Sequence, residues 1–448
     1  MSRGFAGKLR SYAGEMGPAW VAGAIAAGPA TMASVITAGA TFGYALLWVV
    51  IASAVLGAVA QYLAMRLGLL TERGIVGVVE DALGEKWAWL LVIDVVLAAG
   101  LAQLVIMKGL ADVSATVTGI DARVWGIAWA VVLAVGLAGR GYRFVEFAAK
   151  LLVSGVVVAF FASLFVVPID PVAAASGLVP RVPAGVDGAL VAAGILGGAV
   201  HITLVTMHSY TMRARGWTRD DYDLATFDVG SSMLGAFGVY SLAIFLVAAS
   251  VLHAPGIEAA DLTAVSAAQT LGPLVGPAAK WLFLLGLWGA AVSTLGGNTV
   301  VPPFLVADKL GWETDVSDSR YRWLLAGFAL VSAAGPFVGG AFFPLLVLVL
   351  AFGLVGTPFA LVVVLVLLNS DAVPESTPWP ANLAGVVLLV VTATTAGSFV
   401  RTRVAAGLRD PITLFVLGFA AVLTLASLVL VVQFVRDRTR PRRTPAGG

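Results

Sequence analysis

Two interrupted apolar stretches carry the polar groups of this chain that are best placed to bind a small solute. One contains Gly28-Pro29-Ala30-Thr31, and the other contains Gly197-Gly198 followed by His201 and Thr203. A helix interrupted within hydrocarbon must turn its freed backbone N–H and C=O groups towards a protein cavity. Two such breaks at corresponding places in two halves of a chain indicate a transport site. The spacing therefore predicts a site between residues 28–31 and 198–203.

These stretches offer uncharged donors. They contain the hydroxyl oxygens of three threonines, one imidazole, and backbone carbonyls freed near two glycines. The residues are Thr31, Thr203 and Thr206, His201, and Gly28 and Gly198. Hard divalent cations prefer oxygen ligands, and imidazole suits transition metals. Because no carboxylate lies among these donors, three kinds of cargo stay open: a weakly held or partly hydrated cation, another ion, or a polar organic solute.

His201 has two interpretations. A single histidine in an apolar helix is ordinarily a packed residue that donates to a nearby carbonyl or hydroxyl. Its position in a glycine-flanked break favours a second interpretation, in which the imidazole binds a metal or relays a proton near neutral pH. The residue types alone leave both open.

Three further polar side chains fall within apolar spans: Gln61, Asp94 and Asn298. Polar and charged groups embedded in a membrane are functional candidates by default, so we assign all three to a possible pathway or proton route. The alternatives are a solvated helix end for Asp94 and glycine-rich packing around Asn298. For Gln61 the alternatives are a hydrogen bond to the unwound chain of the first span or to a neighbouring carbonyl.

The elements that must position these residues are membrane-spanning helices. Of the 448 residues, 60% are hydrophobic and 12% are charged, and the mean hydropathy is +0.97. Soluble domains carry about 25% charged residues, so this is an integral membrane protein. We predict an all-α fold with about 12 transmembrane helices of roughly 20 residues or more, at 18–42, 44–67, 87–108, 122–139, 145–167, 187–214, 223–252, 273–305, 321–338, 341–368, 381–400 and 411–435.

Charge and composition exclude several functions. A net charge of +2 indicates no nucleic-acid partner, and the absence of cysteine excludes disulfides and thiolate metal ligands. The chain has no nucleotide-binding loop and no catalytic constellation, so we expect neither an enzyme nor a bound cofactor. With both termini placed in the cytoplasm, most of the 27 Lys and Arg residues fall on the inner side, in agreement with the positive-inside rule.

A similarity that covers about residues 14–400, and that is most specific over 42–71, is carried by residues 42–50, 61–71, 177–180, 208–209, 269–276, 293–296 and 357–360. These segments resemble the Nramp family of proton-coupled divalent-metal transporters. The resemblance implies a LeuT-like inverted repeat of five plus five helices, in which helices 1 and 6 are discontinuous. It also places His208 and Arg215 at family positions towards the inner end of span six, which adds them to the possible pathway. Thr206, a hydroxyl close to the second break in sequence, is assigned to the same pathway.

The ligand positions of that family carry different residues here. The family's Asp-Pro-Gly-Asn motif aligns with residues 28–31, and its Met-Pro-His motif aligns with residues 201–203. The resemblance thus places the substrate- or metal-binding positions at Gly28, Thr31, Gly198, His201 and Thr203. In span three, Asp94 matches the first acidic position of the family, whereas Leu101 and Leu104 occupy the next two. The family's usual proton coupling is therefore not carried over.

Together these observations predict a secondary transporter that moves a divalent metal cation between broken helices 1 and 6, with its coupling open. A transporter of a small polar organic solute and a transport-inactive membrane sensor are the alternatives. We expect a transporter domain at 14–435 between cytoplasmic tails at 1–13 and 436–448, in the cell (plasma) membrane. Its expected partners are lipid and the transported ion or solute, with no obligate protein partner.

Overall fold

The computed structural model describes residues 12, 17–138, 142–183, 186–254 and 256–439. In these residues the chain is helical and contains no β-strand. The predicted tails at 1–13 and 436–448 fall outside this range, apart from residue 12 and residues 436–439.

We number the helices of nine or more residues in chain order. They are α1 Pro18–Ala26, α2 Pro29–Phe42, α3 Leu47–Thr71, α4 Ile75–Leu83, α5 Glu85–Thr118, α6 Ala122–Ala138, α7 Tyr142–Ser163, α8 Val186–Val200, α9 Ile202–Arg215, α10 Tyr222–Gly230, α11 Val239–Val251, α12 Ala279–Lys309, α13 Ser319–Val331, α14 Phe342–Leu368, α15 Trp379–Ala406 and α16 Pro411–Thr439. Shorter α-helices lie at Pro171–Ser176, Ala264–Ala268 and Gly272–Val275, and a π-helix at Ser231–Gly238 joins α10 to α11.

The predicted membrane spans are confirmed as helices. In the described part of the chain, eight helical stretches are long and apolar enough to cross a membrane, and two shorter apolar helices lie at Ala122–Ala138 and Leu151–Ser163. One of the eight, Pro29–Thr71, has 43 residues, about twice the length that one crossing needs. It contains α2, the second half of predicted span one, and α3, predicted span two, which meet at Gly43 (φ 56°).

Two local features were not predicted. Residues 75–83 form α4 between spans two and three, and its buried face consists of Ile75, Val76, Val78 and Val79. Nine residues are too few to cross a bilayer, so a search for spans passes over this helix. Span seven contains the π-helix Ser231–Gly238, a rare element that apolar periodicity does not reveal.

The packing of the helices relates the two halves of the chain. Helix α2 of span one packs on α11 of span seven, and the span-six helices α8 and α9 pack on α3 of span two. Helix α5 of span three packs on α12 of span eight. Exchanging spans one to three with spans six to eight leaves this set of contacts unchanged, as an inverted repeat requires. The predicted repeat is therefore visible in the packing, and the two broken spans occupy equivalent places in it.

Candidate functional site

The first break separates α1 from α2 at the predicted position. Helix α1 ends at Ala26, and Gly28 adopts an extended conformation (φ −67°, ψ −176°) as the N-cap of α2. Pro29 follows at the first helical position, where its missing N–H is harmless. The Gly28 N–H donates to the Ile25 carbonyl at 3.0 Å, and the Gly28 carbonyl accepts from the Met32 N–H at 3.1 Å.

The second break separates α8 from α9 at His201. This residue is the N-cap of α9 (φ −54°, ψ 138°), and its carbonyl accepts from the Leu204 N–H at 2.9 Å. The carbonyl of Val200, at the end of α8, accepts a hydrogen bond from Thr357 Oγ1 at 3.0 Å. A side chain of α14 therefore satisfies one of the carbonyls that the break frees.

The two breaks meet around a small cavity. All five predicted binding positions line it: Gly28, Thr31, Gly198, His201 and Thr203. The cavity has a volume of about 40 Å³ and lies among buried residues. A Cβ atom on Gly198 would overlap Thr31 Oγ1, so a glycine is what lets the two breaks approach this closely.

The imidazole of His201 is tied to α9 on one side and faces α14 on the other. Its Nδ1 atom lies 2.8 Å from Thr203 Oγ1, whereas Nε2 has no hydrogen-bond partner among the described residues. Nε2 fills the space that a side chain on Gly353 would occupy. Gly356 lies one turn further along α14, and the carboxylate of Asp94 fills the space that a side chain on Gly356 would occupy. The carboxylate is buried, and neither of its oxygens has a hydrogen-bond partner among the described residues.

Helix α12 forms a third wall of the cavity. Asn298, which we predicted as a pathway residue, lines it together with Thr294 one turn earlier. Thr294 was quoted above only as part of a family-like segment, and its hydroxyl is buried with no partner in the described part of the chain. The signal that could have identified it is the Gly296-Gly297 pair, which marks a close helix approach beside it.

The remaining predicted residues lie away from the cavity lining. Thr206 Oγ1 donates to the Ile202 carbonyl at 2.9 Å within α9. Gln61 and His208 are buried, and none of their polar side-chain atoms has a hydrogen-bond partner among the residues described. The donation from Gln61 that we considered is therefore not made to any described residue. Arg215 is exposed at the C-terminal end of α9, where its guanidinium packs against Gly17.

A carboxylate binds the N-terminal end of the broken first span. The side chain of Asp228, on α10, accepts hydrogen bonds from the Gly17 N–H at 3.1 Å and the Ala19 N–H at 2.7 Å. Ser232 Oγ adds a donation to the Ala19 carbonyl at 2.7 Å. Because a negative charge is favourable at a helix N-terminus, these contacts hold α1 against span seven.

The donors at the cavity are uncharged throughout. No group of three or more His, Cys, Asp or Glu residues is placed to hold a metal ion within the described residues. A cation in this cavity would meet hydroxyl, carbonyl and amide oxygens and one imidazole edge. The geometry thus suits an ion that is bound weakly or with part of its water shell.

Comparison with known proteins gives sequence matches over most of the chain. A family model described as "Natural resistance-associated macrophage protein-like" matches residues 19–402. The divalent metal cation transporter MntH of Deinococcus radiodurans is 30% identical over 323 residues, which cover 68% of this chain and 72% of that protein. MntH of Mycobacterium tuberculosis is 29% identical over 375 residues, covering 80% and 84%.

Solved structures share the fold at low sequence identity. A manganese transporter of Eremococcus coleocola superposes with a TM-score of 0.74 at 16% identity, and the match covers 98% of this chain and 97% of that one. Mhp1, a nucleobase-cation-symport-1 family transporter, superposes with a TM-score of 0.59 at 15% identity, covering 97% and 96%. These matches confirm the expected LeuT-like architecture.

Proposed function

Because this chain belongs to the Nramp family of membrane transporters, we propose that it moves a divalent metal cation through the cavity between its two broken helices. The MntH relatives are named as divalent metal cation transporters. The observation in this chain that carries the proposal is that all five family-matched ligand positions line one cavity.

The size of the cavity favours an ion over an organic solute. Pockets that hold organic ligands of drug size have volumes of about 300–1,000 Å³, whereas this one has about 40 Å³. A cavity needs roughly 10–15 Å³ to hold one water molecule. There is thus room for a small ion with a few waters, but none for an amino acid or a nucleobase in this conformation.

The orientation in the membrane follows from the distribution of charge. We place the transporter in the cell membrane with both termini in the cytoplasm, since most Lys and Arg residues then face inwards. Asp228 and Arg215 lie on this inner side, where Asp228 holds the N-terminus of α1. Because Asp228 holds α1 in place, release of α1 from Asp228 is the step by which we expect the cavity to open towards the cytoplasm.

A flux assay in liposomes tests the proposal. Purified full-length protein is reconstituted and offered Mn²⁺, Fe²⁺, Co²⁺, Zn²⁺ and Mg²⁺, and in parallel amino acids and amines. We expect uptake of at least one metal, which Thr31→Val reduces because a cavity hydroxyl is lost. Thr394→Val is the matched control, since Thr394 is exposed on α15 and bonds to its own helix. Uptake of an organic solute but of no metal by folded protein refutes the proposal.

A further inference from the structure

We propose that Asn298 is a ligand of the transported cation, and that α5 orients its amide so that the oxygen faces the cargo. This inference rests on the proposed function and names a ligand outside the two broken helices. Three observations carry it: the hydrogen bonds of the Asn298 amide, the approach of α12 to the first break, and the unpartnered hydroxyl of Thr294.

The orientation of the amide follows from a chain of hydrogen bonds that ends on backbone carbonyls. Thr299 Oγ1 donates to the Leu295 carbonyl at 2.6 Å. The Thr299 hydroxyl has one hydrogen, which this bond uses, so Thr299 Oγ1 can only accept from Gln103 Nε2, 2.5 Å away. The other end of the Gln103 amide, its oxygen Oε1, therefore points to Asn298.

Asn298 faces two acceptors on α5. Its Nδ2 atom lies 2.9 Å from Gln103 Oε1 and 2.9 Å from the Ala99 carbonyl oxygen. Both neighbours are oxygen atoms, which can only accept, so the nitrogen of the Asn298 amide and not its oxygen must face them. Each of the two N–H groups then donates one of these hydrogen bonds. The carbonyl oxygen Oδ1 is the polar atom that Asn298 retains for a solute, and the residue lines the cavity.

Helix α12 comes close to the first break. The space beside Gly297 is filled by the Ile25 side chain, whose Cδ1 would lie 2.7 Å from a Cβ at that position. Thr294 Oγ1 would lie 2.5 Å from a Cβ on Gly28, and the Ile25 carbonyl oxygen would lie 2.8 Å from the same point. The Thr294 hydroxyl, which has no partner among the described residues, therefore sits beside the carbonyl end of α1.

These positions define a neutral oxygen wall. Asn298 and Thr294 are four residues apart, so they share one face of α12, and both line the cavity. Amide, hydroxyl and carbonyl oxygens suit hard cations such as Mg²⁺ and Mn²⁺, which retain several waters when carboxylates are scarce. The wall therefore favours a hard divalent cation that enters the cavity partly hydrated.

The test compares KM and maximal rate for Mn²⁺ uptake in liposomes. Asn298→Leu removes the oxygen at similar volume and should raise KM about tenfold or more, as loss of groups around a metal commonly does. Asn382→Leu is the matched control. Its Nδ2 likewise donates to an amide oxygen, that of Asn369, and to a backbone carbonyl, that of Thr377, but Asn382 does not line the cavity.

A double-mutant cycle separates orientation from general packing. Gln103→Leu should raise KM about tenfold with the maximal rate kept, and it should add nothing in the Asn298→Leu background, because Gln103 acts through Asn298. Should Asn298→Leu not fold, the KM of Gln103→Leu alone decides, with Asn382→Leu as control.

The outcomes are distinct. A KM within twofold of wild type for Asn298→Leu, with metal uptake intact, overturns this inference and leaves the proposed function standing. Equal effects of Gln103→Leu in both backgrounds overturn the orienting role of α5. Folded wild-type protein that takes up no divalent metal overturns the proposed function itself, and this inference with it.

Discussion

Replacing Gly198 by alanine tests the meeting of the two breaks most directly. A Cβ on this residue would fall less than 3 Å from Thr31 Oγ1, a separation that real Cβ atoms essentially never show. The Thr31 hydroxyl would have to rotate away or α8 would have to move. Either change removes an oxygen from the cavity and puts a methyl group into a space of about 40 Å³.

The free energy of unfolding should change by a predictable amount. Forcing an extra methyl into a packed interior destabilises a protein by about 1–3 kcal/mol. Alanine for glycine in a helix stabilises it by roughly 0.8–1 kcal/mol. The net destabilisation from Gly198→Ala is thus about 0–2 kcal/mol. Gly397→Ala, on α15 where an added Cβ would meet nothing within 4 Å, should instead gain up to about 1 kcal/mol.

The assay combines thermal melting in detergent with Mn²⁺ uptake in liposomes. We expect Gly198→Ala to fold and to lose about tenfold or more in uptake, while Gly397→Ala melts at or above the wild-type temperature and transports normally. The double variant Gly198→Ala with Thr31→Ala should recover the lost stability, because the overlapping hydroxyl is gone, but not the uptake. Normal uptake by Gly198→Ala would refute the placement of the cargo between the breaks.

Three further changes test other parts of the site. His201→Ala should abolish uptake or flatten its dependence on pH while the protein stays folded; unchanged uptake across the pH range in which imidazole ordinarily titrates would show that the ring only packs. Gly353→Ala should displace the imidazole, whose Nε2 fills that space, and lower the maximal rate of uptake, at a cost in the free energy of unfolding of about 0–2 kcal/mol, as for Gly198→Ala. Asp228→Asn weakens the hydrogen bonds from the Gly17 and Ala19 N–H groups and should weaken the attachment of α1 by about 1–3 kcal/mol. A cysteine introduced in the cavity should then be labelled faster by a thiol reagent. Unaltered labelling would contradict the role of Asp228 in holding α1.

The breaks could be predicted from the sequence because their cause is local. Gly28-Pro29 interrupts the first span where it falls, whereas α8 continues through Gly197-Gly198 to Val200, so the second break lies at His201, three residues beyond the predicted glycine pair. The surrounding apolar stretches fix the depth of both breaks in the membrane. The resemblance to a known family then indicated that the two breaks face each other and form one site. For these reasons the five residues predicted to bind cargo all line one cavity.

Asn298 was predicted as a pathway residue, but the orientation of its amide in the third wall could not be predicted, because the causes of that orientation are distant in sequence. Gln103 and Asn298 are 195 residues apart, and the orientation of the Asn298 amide depends on a Thr299 hydroxyl that is already committed to Leu295. From the sequence alone, the amides of Gln103 and Asn298 cannot be distinguished from that of Gln61. The Gln61 amide is buried without a hydrogen-bond partner among the described residues. Only the helix packing separates an oriented ligand from an unpaired amide.

The packing of α14 adds a second environment for the His201 ring besides the cavity. Motif comparison puts this residue at a metal-ligand position, yet its Nδ1 is bonded to Thr203 and its Nε2 points to Gly353. The carboxylate of Asp94 occupies the matching space at Gly356. Positions three residues apart on a helix are about 5–6 Å apart, so the imidazole edge and the carboxylate share one glycine-lined face of α14. His201 thus lines the cavity and also packs beside a buried carboxylate on the same face of α14. The His201→Ala and Gly353→Ala variants therefore decide whether the ring serves the cargo or only packs.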